Sequence, residues 1–238
     1  MTETYEKELA VTPVNADRSG KLSYHDTFGA FMDMASAHAD VLGCGVADIK
    51  KRSLFWLVAK TAVRFRRRPE VGEKARLVTW PEKPERIRGC RSYEIIKDGE
   101  ILVRGKTEWA VMNTETGRLA PMEGIYPAEL VSFPESACPE AFTRITVPEE
   151  RVPLAEYRVR STDIDVGGHM NNVAYIRMIT GCFSSAELER LDPKLVEAVY
   201  RAPCFEGDTL LLTKAEDESG MTVFAEKDGK IIFMLRME

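Results

Sequence analysis

Thr162-Asp163-Ile164-Asp165-Val166-Gly167-Gly168-His169-Met170-Asn171-Asn172-Val173-Ala174-Tyr175 sets two carboxylates, a diglycine, one of only three histidines and two amides ahead of an apolar run. That run continues through Val173, Ile176, Ile179 and Phe183 at spacings of three and four, the period of an amphipathic helix. The glycine pair lets the backbone turn sharply into the helix, so that N–H groups at its positive end can face a ligand. This stretch is the candidate active site.

The spacing of the stretch occurs twice. Asp17-x-x-Gly20-x-Leu22 matches Asp165-x-x-Gly168-x-Met170, Val71-Gly72-Glu73 matches Glu206-Gly207-Asp208, and Lys97-Asp98-Gly99 matches Lys227-Asp228-Gly229. The chain therefore reads as a tandem duplication. The first copy has Lys21 in place of His169, and Ser23 and Tyr24 in place of Asn171 and Asn172, so a single site belongs to the second copy.

Outward from the two motifs, each half reads as a helix followed by strands. Tyr5 to Val11 alternates as a strand, and Asn15-Ala16-Asp17-Arg18-Ser19-Gly20 reads as a turn. Phe28, Phe31, Met32, Ala35, Ala39 and Leu42 mark a helix from Tyr24 to Leu42 that ends at Gly43. Strands are expected at Leu54 to Phe65, Ala75 to Trp80, Cys90 to Ile96 and Ile101 to Met112, with a hairpin turn at Asp98-Gly99. The second half predicts a strand at Tyr157 to Arg160, the helix, then strands at Leu195 to Arg201, Thr209 to Ala215, Met221 to Glu226 and Lys230 to Arg236. Six of the twelve prolines fall between Pro121 and Pro153, a density that opposes helix and central strand and reads as a surface linker. The expected division is thus an N-terminal unit 1–120, a linker 121–153 and a C-terminal unit 154–238.

Composition narrows the function classes. With 238 residues, 44% hydrophobic and 30% charged, the chain has the make-up of an ordinary globular protein. No apolar run reaches the roughly 18 residues of a membrane span, and Met1-Thr2-Glu3-Thr4 is unlike a signal peptide, so a cytoplasmic protein without a membrane partner is expected. A net charge of -5 argues against nucleic-acid affinity, and five scattered cysteines without a C-x-x-C pair suggest neither disulfides nor a metal site.

A helix followed by an antiparallel meander that wraps it is an α+β arrangement, and two copies in one chain pair their sheets as a dimer of single-copy proteins would. Thr162-Asp163-x-Asp165-x-x-Gly168-His169-x-Asn171-Asn172-x-x-Tyr175 resembles the signature of hotdog thioesterases of the 4-hydroxybenzoyl-CoA and acyl-ACP types. The duplicated layout, with Val78-Thr79-Trp80-Pro81 and Arg91, is most similar to the acyl-[acyl carrier protein] (acyl-ACP) thioesterases. The resemblance implies a tandem hotdog fold and cofactor-free hydrolysis of fatty acyl-ACP, with acyl carrier protein as the partner of a monomer or homodimer. It also implies that Asp165 and His169 are catalytic. Gly167 stands where the family commonly has Asn, and Pro203 where it commonly has a catalytic Glu.

Thioester hydrolysis needs a nucleophile or base, and donors for the oxygen that becomes anionic. Asp165 fits the first role, attacking the carbonyl or drawing a proton from water; the alternative is a turn-capping carboxylate. Backbone donors near Gly168 fit the second, against an ordinary glycine turn. His169 can orient the carboxylate, bind the carbonyl of the arm or protonate the leaving thiol. Asn171 and Asn172 are candidates for substrate binding and for the helix N-cap. Glu206 is a candidate substitute for the missing acid, and Cys204 a candidate nucleophile, each against a structural role. Trp56 and Trp80, with Phe28, Phe31, Met32 and Met34, are candidates to line an acyl pocket in the first half, or simply to be core. Arg64, Arg66, Arg67 and Arg68, with Lys50, Lys51 and Arg52 or Arg86, Arg88 and Arg91, form a candidate basic surface for an acidic carrier or are solvated charge. An acyl-CoA thioesterase and a catalytically impaired acyl-binding protein are the alternative functions.

Overall fold

Each half opens with an edge strand, passes through its glycine turn into a helix and then runs antiparallel. The structure, a computed structural model, describes residues 3–130 and 133–238. The first half holds β1 (Tyr5–Ala10), α1 (Tyr24–Val41), α2 (Val46–Lys50), β2 (Leu54–Phe65), β3 (Lys74–Pro81), β4 (Gly89–Lys97), β5 (Glu100–Asn113) and β6 (Leu119–Ala120). The second holds β7 (Val152–Arg158), a 3-10 turn at Ser161–Asp163, α3 (Asn172–Thr180), α4 (Ser185–Leu191), β8 (Leu195–Tyr200), β9 (Thr209–Asp217), β10 (Gly220–Lys227) and β11 (Lys230–Met237).

One eleven-stranded sheet runs β1-β3-β4-β5-β2-β8-β11-β10-β9-β7, with β6 attached to β5. The order is the same from the centre outward in both halves, as a duplication requires. The halves join where β2 pairs antiparallel with β8, from Lys60↔Val199 to Arg64↔Leu195. The α+β tandem hotdog that the resemblance implies is therefore the architecture found. Among the described residues no helix is long and apolar enough to cross a membrane.

Local sequence explains the helix boundaries. Ser23 caps α1 by accepting the Asp26 N–H, and Asn171 caps α3 by accepting the Val173 N–H. Helix α1 buries Tyr24, Thr27, Phe28, Phe31, Met34, Ala35 and His38. Phe31 stacks on Tyr93 with ring centroids 4.5 Å apart, and Gly105 makes room for it, because a Cβ there would stand 2.2 Å from the Phe31 ring. A single core joins these residues to Ile176, Ile179 and Phe233 of the second half.

The structure differs from expectation in several places, among them the short elements α2 and β6, which the sequence does not suggest. Helix α3 stops at Thr180 because Gly181 takes the C-cap, short of Phe183. Helix α4 was not expected, although Ser184 and Glu187 form a reciprocal capping box legible as S-x-x-E. Strand β7 starts at Val152 rather than Tyr157 and accommodates Pro153 as an edge strand, with a register shift between Pro153 and Ala155.

The proline-rich stretch between β6 and β7 packs on the sheet. Along β3, Ala75 and Leu77 join the helix-side core, so alternation turns Val78 and Trp80 to the other face, where Ala137 covers them. The Trp80 indole N–H donates to the Glu135 carbonyl at 2.9 Å, and the Ala137 N–H to Ser92 Oγ at 2.9 Å. Buried Glu197 on β8 accepts from the Phe142 N–H at 3.0 Å and the Thr143 hydroxyl at 2.8 Å, and so pins the stretch across the join.

Candidate active site

The second glycine turn is closed by its own backbone. Asp165 N–H donates to the His169 carbonyl at 2.9 Å and Gly168 N–H to the Asp165 carbonyl at 3.0 Å, with Gly168 at φ 77°. Gly167 N–H donates to Asp165 Oδ1 at 2.7 Å. The N–H groups of both glycines thus serve the turn, and of the donors expected near Gly168 the adjacent His169 N–H is the one left over. Among the described residues the backbone N–H groups of His169 and Asn172 carry no hydrogen bond, and Asn172 is the first residue of α3.

The first half repeats these bonds and adds one, from Lys21 N–H to Asp17 Oδ1 at 3.3 Å. Asp17 N–H donates to the Lys21 carbonyl at 2.8 Å, Gly20 N–H to the Asp17 carbonyl at 2.9 Å and Ser19 N–H to Asp17 Oδ1 at 2.9 Å. Leu22 N–H reaches the Pro69 carbonyl as Met170 N–H reaches that of Cys204, both at 2.8 Å. This aligns Arg68 with Pro203. Arg68, buried and 4.2 Å above the Tyr24 ring, forms an ion pair with Asp17, and the Ser19 hydroxyl adds a bond at 2.6 Å. Burial pushes the Asp17 carboxyl up, but Ser19 and Arg68 outweigh it and hold the pKa below the usual value. Asp165 has neither partner. Its side chain accepts only from Gly167 among the described residues, and it is half-buried.

His169 lies between two phenyl rings, Phe205 at 5.1 Å and Phe55 at 6.2 Å centroid to centroid. Its imidazole makes no hydrogen bond among the described residues, to Asp165 or any other group. Phe55 belongs to β2, so the first half supplies a wall of the site in the second. The same ring explains Gly167: a Cβ there would stand 3.1 Å from Phe55 Cζ and 3.0 Å from Asp165 Oδ1.

The other candidates separate by place. Asn171 caps α3 through its side chain, whereas the Asn172 side chain is half-buried and unbonded among the described residues. Asp163 is 2% exposed and accepts from the Tyr157 hydroxyl at 2.7 Å, Arg160 N–H at 2.9 Å and Arg177 Nη2 at 3.1 Å, a structural set. Cys204 is fully buried and burial pushes its thiol up, away from the thiolate a nucleophile needs. Glu206 is exposed and lines an open cleft with Glu156, Arg158 and Arg160 along β7. Nothing brings it to Asp165.

Trp56 lines a cavity of about 60 Å³ in the first half with Ala35, Ala39, Arg91, Trp109 and Tyr126. Trp80 lies on the opposite face of the sheet and does not line it. The arginine run is not an open basic surface: Arg64, Arg66, Arg67 and Arg68 pair with Glu140, Glu100, Glu73 and Asp17. Phe55 and Phe205 are the members of the site that sequence reasoning missed, and only strand pairing brings Phe55 there. Among the described residues no group of three or more His, Cys, Asp and Glu is gathered to hold a metal ion.

Comparison with known proteins places the chain in a family. The family described as the acyl-ACP thioesterase N-terminal domain matches residues 2–129, and that described as the C-terminal domain matches residues 148–232. An oleoyl-acyl carrier protein thioesterase of Arabidopsis thaliana is 27% identical over 215 residues, 79% of this chain and 58% of that one. A palmitoyl-acyl carrier protein thioesterase of Cuphea hookeriana is 27% identical over 226 residues, 87% and 53% of the two chains. The chain thus spans about half the length of these curated relatives. An acyl-ACP thioesterase structure from Bacteroides thetaiotaomicron superposes at TM-score 0.87 with 25% identity over 100% of this chain and 99% of that one. The 12:0-ACP thioesterase of Umbellularia californica superposes at 0.84 with 18% identity, covering 100% and 97%, a likeness of fold.

Proposed function

The chain belongs to the acyl-ACP thioesterase family, and from that we propose that it hydrolyses fatty acyl-ACP to free fatty acid and holo-carrier. The observation that carries the reading is the contrast between twin turns: Asp17 is neutralised by Arg68, while Asp165 keeps an oxygen without a protein partner among the described residues. Half-buried, Asp165 is open to water and takes a proton from the attacking molecule. Hydroxide adds to the thioester carbon, and the oxyanion receives hydrogen bonds from the His169 imidazole and the backbone N–H of Asn172 at the start of α3. One such donor contributes about 2.7 to 4 kcal/mol in a transition state. Collapse breaks the carbon–sulfur bond, and the proton held by Asp165 goes to the departing thiolate.

The first half contributes Phe55 to the site and the cavity at Trp56 to the acyl chain. Glu206 takes no part in this scheme, and Asp165 works without a second acid. Turnover of acyl-ACP and acyl-CoA panels by wild type and Asp165→Asn tests the reading. Loss of at least about 100-fold in kcat/KM on acyl-ACP is expected, within the usual range for a removed general base. Undiminished turnover in the variant would sink it, and preference for acyl-CoA would replace the carrier.

A further inference from the structure

The inner wall of the first half carries polar groups that an all-alkyl chain cannot satisfy. Arg91 is 4% exposed, and its Nη1 donates to Thr79 Oγ1 at 3.3 Å and to His38 Nδ1 at 3.0 Å. A guanidinium only donates, so the imidazole accepts at Nδ1. No carboxylate pairs with Arg91 among the described residues, in contrast to Arg64, Arg66, Arg67 and Arg68. Next to it the Trp109 indole N–H and the Tyr93 hydroxyl are buried and lie toward one another, and neither closes a hydrogen bond of normal length. Thr107 stands directly across from Arg91 on β5 and shares one hydrogen bond, at 3.3 Å, with Thr61.

Arg91 and Trp109 line the cavity together with Trp56. Buried donors left unpaired are costly, and a hydrocarbon end placed against them would remove water without replacing its bonds. An oxygen acceptor on the chain would satisfy them. We propose that this cavity is a specificity subsite for an acyl group bearing an oxygen function, a hydroxyl or keto group, which Arg91 and the Trp109 indole N–H recognise. The inference rests on the thioesterase reading, which supplies the acyl chain that the cavity at Trp56 would take.

The test is a binding measurement, so that it is separate from turnover. Non-hydrolysable amide analogues of acyl-pantetheine, one alkyl and others bearing a hydroxyl or keto group at successive carbons, are titrated by tryptophan fluorescence. At least one oxygenated analogue binds wild type about tenfold more tightly than the alkyl parent, and Arg91→Met abolishes the preference. Trp109→Phe, which keeps an aromatic ring and removes only the N–H donor, reduces it and serves if Arg91→Met does not fold. Tightest binding of the alkyl analogue, a preference that survives both substitutions, or no binding of any analogue would overturn the subsite. Binding with this preference in a chain that hydrolyses nothing would overturn the thioesterase reading alone.

Discussion

Arg68 closes on Asp17 in the first half, and Pro203 occupies the matching chain position in the second, where Asp165 has no such partner among the described residues. Two exchanges of residue type, Arg68 for Pro203 and Ser19 for Gly167, separate a neutralised carboxylate from an available one, although the surrounding turns share most of their backbone hydrogen bonds. Asp17→Asn is expected to lower stability by about 1 to 3 kcal/mol, less than a fully buried pair because its side chain keeps 30% exposure. Turnover should be retained. Asp165→Asn should do the reverse, with thermal melts and kcat/KM read on the same samples.

The Phe55 ring occupies the space that a side chain on Gly167 would enter. Gly167→Asn is expected to cost about 1 to 3 kcal/mol by overpacking and to reduce turnover by displacing Asp165 or Phe55. Adding Phe55→Ala should recover part of the stability. Additive losses in the double-mutant cycle would mean that the two positions do not compete.

Acid should expose the role of Asp163. Burial alone would raise its pKa, but the bonds from Tyr157, Arg160 and Arg177 lower it below 3.8. A carboxyl depressed on folding stabilises the native state above its unfolded pKa, and the contribution is lost as pH falls through the folded value. Asp163→Asn should therefore flatten the loss of stability below about pH 4 and lower stability at pH 7. An unchanged acid limb would contradict the assignment.

Glu197 holds the proline-rich stretch through Phe142 and Thr143. Glu197→Ala leaves those donors without their acceptor, at a cost of about 1 to 3 kcal/mol. Limited proteolysis should then cut between 139 and 147 faster than in wild type, with acyl-ACP turnover less affected than stability.

Much of this was legible in the chain. The repeated Asp-x-x-Gly spacing, the capping residues Ser23 and Asn171 and the hairpin turns are set by groups a few residues apart, so short-range sequence determines them. The helix period and the alternation of the strands likewise fix which faces are apolar. Only the tertiary structure decided that Phe55 from β2 walls the site of the other half, that Arg68 silences Asp17, and that Trp80 faces the proline-rich stretch rather than the cavity. Those contacts join residues more than fifty positions apart or depend on which face of β3 is covered. They follow from the β2–β8 join and from the packing of both helices and the connecting stretch on one sheet, which no local pattern encodes.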